Sequence, residues 1–119
     1  MKSIALKVYH QFKASHSLPG FEQPHFHLWK ITVKFKANLP LKGDRLIDLV
    51  LLQSELEKMA APLSGSYLND TLGASPTSEN MAFYFWEKVV KVFPKEPLHS
   101  VSITLCNLDG EASGEATLS

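Results

Sequence analysis

The sequence predicts an α+β fold, an antiparallel sheet carrying two helices on one of its faces. Three observations point to it. Apolar and polar residues alternate over two long stretches, residues 4–16 and 25–37, with the period of half-buried strands. Two later stretches, after Asp48 and after Thr77, repeat apolar residues at helical spacing, and each ends at a proline. A third alternating stretch, Val101, Ile103 and Leu105, follows the second helix. Connected in this order the chain reads β-β-α-α-β, with residues 111–119 returning as a short edge strand.

The first strand is expected from about Lys2 to Ser15, and the loop Ser17–Pro24 carries the turn signal Pro19-Gly20. The second strand, His25 to Asn38, makes a long twisted hairpin with the first. Pro40 and Gly43 break it. Asp48 is the expected N-cap of the first helix, with Leu49, Leu52, Leu56 and Met59 on its apolar row and Glu55, Glu57 and Lys58 outward, and Pro62 ends it. Residues 63–76 are expected as a polar loop, long enough for a small domain to suggest a functional role. Thr77 is the expected N-cap of the second helix, with Glu79 favourable against its positive end. Met81, Phe85, Val89 and Val92 form its buried stripe, supported by Ala82, Trp86 and Phe93, and this stripe reads as core rather than as a cofactor site. Pro94 stops the helix, and Asn107–Gly110 turns the chain after the third strand.

Three histidines share the phase of the apolar face: His16, His25 and His27. A buried polar ring needs a partner, and three together suggest a shared one. His25 and His27 point to one side of their strand, roughly 7 Å apart along it. His16, at the end of the preceding strand, faces them across the pair at about 4.5–5.5 Å between Cβ atoms. Three neutral imidazoles from one side, with an open fourth position, are the pattern of catalytic zinc. His10 lies roughly 20 Å up the strand from His16, and it and His99 read as ordinary.

At 119 residues the chain is expected to be one domain, 1–119. Its 12 basic and 12 acidic residues give no net charge, hence no electrostatic case for nucleic acid or an anionic membrane. Lys30, Lys34 and Lys36 form the outward side of a strand. The single cysteine, Cys106, excludes a disulfide framework and a thiolate metal site within the chain. The alternating N-terminus does not read as a signal peptide, and no apolar stretch approaches the ~20 residues that span a bilayer. The expected location is the cytoplasm. Zero net charge offers little protection against association, which suits a homo-oligomer.

Five segments, in order, resemble the 6-pyruvoyl-tetrahydropterin synthase / 6-carboxytetrahydropterin synthase family. They are Phe12-Lys13-Ala14-Ser15-His16, His25-Phe26-His27-Leu28-Trp29, Ile47-Asp48-Leu49, Leu68-Asn69-Asp70, and Pro76-Thr77-Ser78-Glu79-Asn80-Met81-Ala82. The resemblance covers most of the chain. It implies the tunnelling fold, in which four-stranded, two-helix subunits close into a barrel of strands with the helices outside, as trimers that stack into a hexamer. It implies Zn2+ on His16, His25 and His27 at a subunit interface. It also implies a pterin ligand such as dihydroneopterin triphosphate, with the ion as Lewis acid.

This chain departs from the family pattern at four places. The position of the catalytic cysteine, four residues before the histidine pair, is Phe21. The Asp-His of the middle loop reads Ser64-Gly65. The glutamate that grips the pterin reads Leu105, followed by Cys106. The glycine between the paired histidines is Phe26. A family subgroup carries a glutamate three residues before the pair, and Glu22 has that spacing, which makes it the candidate general base. Cys106 is a candidate stand-in for the lost nucleophile, but by phase it lies on the face opposite Val101, Ile103 and Leu105 and reads first as structural, while Glu111 and Glu115 are candidates for the lost anchor if the strand register shifts. Two readings follow: a zinc-dependent pterin enzyme with a remodelled site, or an inactive paralogue that keeps fold and metal and serves as a small-molecule-binding or regulatory assembly. In a third, the histidines are only capped by hydrogen bonds.

Overall fold

Two 14-residue strands, β1 (Ser3–His16) and β2 (His25–Asn38), pair antiparallel from end to end. At about 3.3 Å per residue each reaches roughly 46 Å, which sets the 51 Å long axis of the molecule. These coordinates come from a computed structural model that describes residues 2–18, 20 and 23–119. The chain then forms α1 (Leu49–Ala60), a short α2 (Leu68–Thr71) and α3 (Ser78–Val92) before β3 (Leu98–Cys106) and β4 (Ala112–Leu118). The four strands make one antiparallel sheet in the order β1-β2-β3-β4.

The alternation predicted from sequence is observed along β2 and from Val8 onward in β1, while Ile4 is exposed and, in β3, Ser100 and Ser102 are buried beside Val101 and Ile103. Trp29, Ile31, Val33 and Phe35 of β2 are fully buried, and Val8, Phe12 and Ala14 join them from β1. α1 lies over β1, while α3 crosses β3 and β4. Both long helices start where the capping residues stand. Asp48 accepts a hydrogen bond from Leu51 N at 3.1 Å, and Thr77 Oγ1 accepts one from Asn80 N at 3.1 Å. Leu52, Leu56 and Met59 of α1 and Met81, Phe85 and Val89 of α3 complete the core. Tyr84 donates its hydroxyl to Met59 O at 3.2 Å, tying the two helices together, and burial raises its pKa.

Three local expectations are corrected. The segment 63–76 contains a helical turn, α2, because Leu68 and Leu72 both reach the core and a turn of helix puts residues four apart on one side. Leu49 is 42% exposed, since the first turn of α1 lines an open cavity with Ile4 and Leu6 of β1 instead of closing against them. Val92 is also exposed, because the larger ring of Phe93 takes the buried place and packs edge-on against Phe35, with ring centroids 6.4 Å apart.

The other face of the sheet carries the lysines. Lys7 lies directly opposite Lys34 across β1 and β2. Lys30 sits 4.7 Å over the ring of Tyr9, and Lys13 sits 5.0 Å over Phe26. Zero net charge therefore conceals a basic sheet face. Like charges directly opposite are unfavourable, so Lys34→Thr is expected to stabilise the chain by about 0.2–1 kcal/mol. Denaturant melts should show a gain that shrinks as salt screens the pair. A gain equal at all ionic strengths, or none, rules out the repulsion. Among the described residues, no helix is long and apolar enough to cross a membrane.

Candidate metal centre

The β1–β2 register brings the end of one strand beside the start of the next. His16 pairs directly with His25, and Ala14 pairs with His27. Because Ala14 has only a methyl group, the ring of His27 has room to lean toward His16. The three ring centroids stand 4.8 Å (His16–His25), 5.1 Å (His16–His27) and 4.4 Å (His25–His27) apart, every pair close to edge-on. His16 is buried and the other two are half-buried.

Each ring is held through the same nitrogen. His16 Nδ1 lies 2.9 Å from Pro76 O, His25 Nδ1 3.1 Å from Gln23 O, and His27 Nδ1 3.2 Å from Cys106 O. A carbonyl oxygen can only accept, so Nδ1 carries the proton in each bond and the lone pair of the neutral ring sits on Nε2. Backbone carbonyls holding the remote nitrogen are the usual outer support of histidine metal ligands. Trp29 backs the cluster. Its indole meets His16 edge-on at 5.0 Å and His27 at 6.3 Å, and its Nε1–H donates to Ala14 O at 3.2 Å.

The segment before α2 steadies the end of β1. Gly65 N donates to Lys13 O at 2.7 Å, and Ser15 N donates to Ser66 O at 2.9 Å. Ser15 and Tyr67 thereby form a parallel bridge beyond the sheet edge.

The donor set fits a divalent ion. One ligand nitrogen from each ring lies within 4.8 Å of the others, against about 3.3 Å between neighbouring nitrogens of a tetrahedral zinc site at 2.0–2.1 Å bond length. Neutral imidazole suits zinc, copper, iron and nickel.

The remaining candidates fall elsewhere. Phe21 and Glu22 lie outside the described residues. Ser64 lines a shallow depression with His10, Gln11 and Glu57. Leu105 packs against the core, opposite Trp29. Cys106 is buried and pairs with Leu28, on the opposite side of β2 from His27 and Trp29. The β3–β4 register does shift, between Leu105 and Cys106, but Glu115 pairs with Thr104 and so faces away from the Leu105 side. Glu111 is an exposed residue of the turn before β4. Sequence reasoning missed the carbonyls of Gln23, Pro76 and Cys106. Backbone acceptors leave no residue-type signal, and Pro76-Thr77 reads first as a helix start.

Fold and site together define a class: a tunnelling-fold chain whose hairpin gathers three imidazoles beside a fixed turn. A family model for 6-pyruvoyl tetrahydropterin synthase matches residues 5–112, and the chain belongs to that family. The Caenorhabditis elegans 6-pyruvoyl tetrahydropterin synthase superposes with a TM-score of 0.77 at 20% identity, over 99% of this chain and 96% of that one. A protein from Wolinella succinogenes, WS1659, gives 0.75 at 14% identity, covering 99% and 98%. A Plasmodium vivax 6-pyruvoyltetrahydropterin synthase whose catalytic glutamate is replaced by alanine gives 0.72 at 13%, also covering 99% and 98%. At these identities the structural likeness is one of fold. No curated protein matches the chain in sequence.

Proposed function

We propose that residues 1–119 form one pterin-handling domain of this family, holding Zn2+ on His16, His25 and His27. Its ligand is a pterin such as dihydroneopterin triphosphate. The observation that carries this reading is the common orientation of the three rings, each with Nδ1 bound to a backbone carbonyl. The bound ion would act as a Lewis acid toward an oxygen of the ligand.

The chain's own residues supply the rest. His16 anchors the buried side of the centre, and Trp29 keeps water from its back. Glu22, three residues before His25, is the general base of this reading. A glutamate is also the catalytic residue of the Plasmodium vivax protein. Leu49, Val50 and Leu51 leave apolar surface uncovered in one copy, which supports a homo-oligomer, trimer-based and in the family form a hexamer.

One set of observations favours the second reading, an inactive paralogue. Ser64, Gly65 and Leu105 bring no acid or base to the positions where the family resemblance expects them. The remodelled enzyme and the paralogue share the metal and separate at turnover.

The test is metal content of protein purified without added chelator. Wild type is expected to carry one zinc per chain and His16→Ala essentially none; equal metal in both overturns the proposed centre. Turnover of dihydroneopterin triphosphate that falls about 10²–10⁴-fold in Glu22→Gln, at unchanged zinc content, identifies the enzyme. Pterin binding without turnover identifies the paralogue.

A further inference from the structure

The carbonyl that orients His16 is itself held in place. Pro76 O belongs to a turn fastened at Ser75, whose carbonyl accepts from Asn80 Nδ2 at 2.9 Å and from Thr77 N at 2.9 Å. Asn80 also donates its backbone N–H to the Thr77 cap. This asparagine therefore fixes both sides of Pro76.

A second asparagine grips the chain on the other side of His16. Ser17 N donates to Asn69 Oδ1 at 2.9 Å, and Asn69 Nδ2 donates back to Ser17 O at 2.8 Å. One carboxamide thus replaces both hydrogen bonds of a strand partner where β1 has run out of sheet. Among common side chains of this length, only a carboxamide offers a donor and an acceptor together. Ser17 Oγ shares a further hydrogen bond with Tyr67 OH at 2.7 Å, which ties the same point to the residue before α2.

Asn69 is exposed and Asn80 half-buried, so neither is there to fill the core. What they do is lock two backbone positions, the residue following His16 and the residue preceding its carbonyl acceptor. We propose that Asn69 and Asn80 are positioning residues that keep His16 in its Nδ1-protonated form and aim its Nε2 at the metal. If the Pro76 carbonyl drifts, the bond that selects this tautomer is lost and the ring is free to place its proton on Nε2, where it blocks coordination. The effect on affinity rests on the proposed zinc centre; the effect on the tautomer does not.

Long-range 1H–15N NMR of the metal-free chain, at a pH where the imidazoles are neutral, reads the tautomer directly. Isothermal competition with a zinc chelator reads affinity. Wild type should show His16 protonated on Nδ1. Asn80→Ala and Asn69→Ala should each mix the His16 tautomers, leave His27 unchanged, and weaken zinc binding about 10–100-fold, the usual cost of losing outer support of a ligand. Asn69→Asp, which keeps the acceptor and loses the donor, should fall between. Should an alanine variant lose its far-UV CD signal, Asn69→Ser and Asn80→Ser replace it, since serine is too short to span either gap. An unchanged His16 tautomer with unchanged affinity in folded variants overturns the proposal, as does a wild-type His16 protonated on Nε2. If wild type binds no zinc yet the His16 tautomer still responds to both asparagines, the positioning role stands and the zinc centre falls.

Discussion

Zinc at about a thousandfold excess over its dissociation constant is expected to stabilise the protein by ~4 kcal/mol, and His16→Ala should show none of that gain. For a chain of this size the gain corresponds to a melting-temperature rise of roughly 15 °C. The reasoning is linkage: the three imidazoles meet only when β1 and β2 are paired in the observed register, so an ion held by all three would bind the folded state and not the unfolded chain. His16 is buried at 6% exposure, and its removal leaves Pro76 O without this donor. That alone costs about 1–3 kcal/mol, so each variant is compared with its own metal-free form. His25→Ala provides the control. It is less buried and cheaper to remove, yet it should abolish the zinc-dependent rise just as fully. Differential scanning calorimetry with and without zinc makes the measurement. A rise of the same size in both variants would place the ion elsewhere on the molecule.

Trp29→Ala should produce the largest loss of stability, about 3–5 kcal/mol, the range for a fully buried aromatic truncated to alanine. This corresponds to a fall of roughly 12–20 °C in melting temperature. Trp29 has no exposed surface, pairs with Phe12 across the hairpin, and backs two of the three histidines. Its loss opens a void under the sheet and frees the His16 and His27 rings to turn, so zinc affinity should fall as well. Trp29→Phe separates the two contributions. It keeps most of the packing and loses the hydrogen bond to Ala14 O, at a cost of about 0.5–1.5 kcal/mol. If Trp29→Phe proves as damaging as Trp29→Ala, the indole N–H rather than ring volume dominates the site.

Much of the architecture is legible along the chain because periodicity is local. Residues 25–38 read as a strand, and β2 has those bounds. Asp48 and Thr77 read as caps because their short oxygens can reach only the backbone of the next turn, and both do so. Exceptions occur where local pattern and global placement part. Leu49 and Val92 continue an apolar spacing into the end turns of their helices, where both stay exposed. α2 exists because two leucines find the core, a fact residing in the sheet rather than in the segment 63–76.

The convergence of His16, His25 and His27 was likewise within reach of the sequence, since alternation fixes the face and a hairpin fixes the neighbour. Sequence alone determined the two long strands, the capped helices, the family and which imidazoles share a side. Tertiary structure decided how those rings are held: the carbonyls of Pro76 and Cys106 reach His16 and His27 from 60 and 79 residues away along the chain. Side-chain type encodes period and phase, but every residue except proline offers the same backbone donor and acceptor, so only the folded path selects which carbonyl meets which ring.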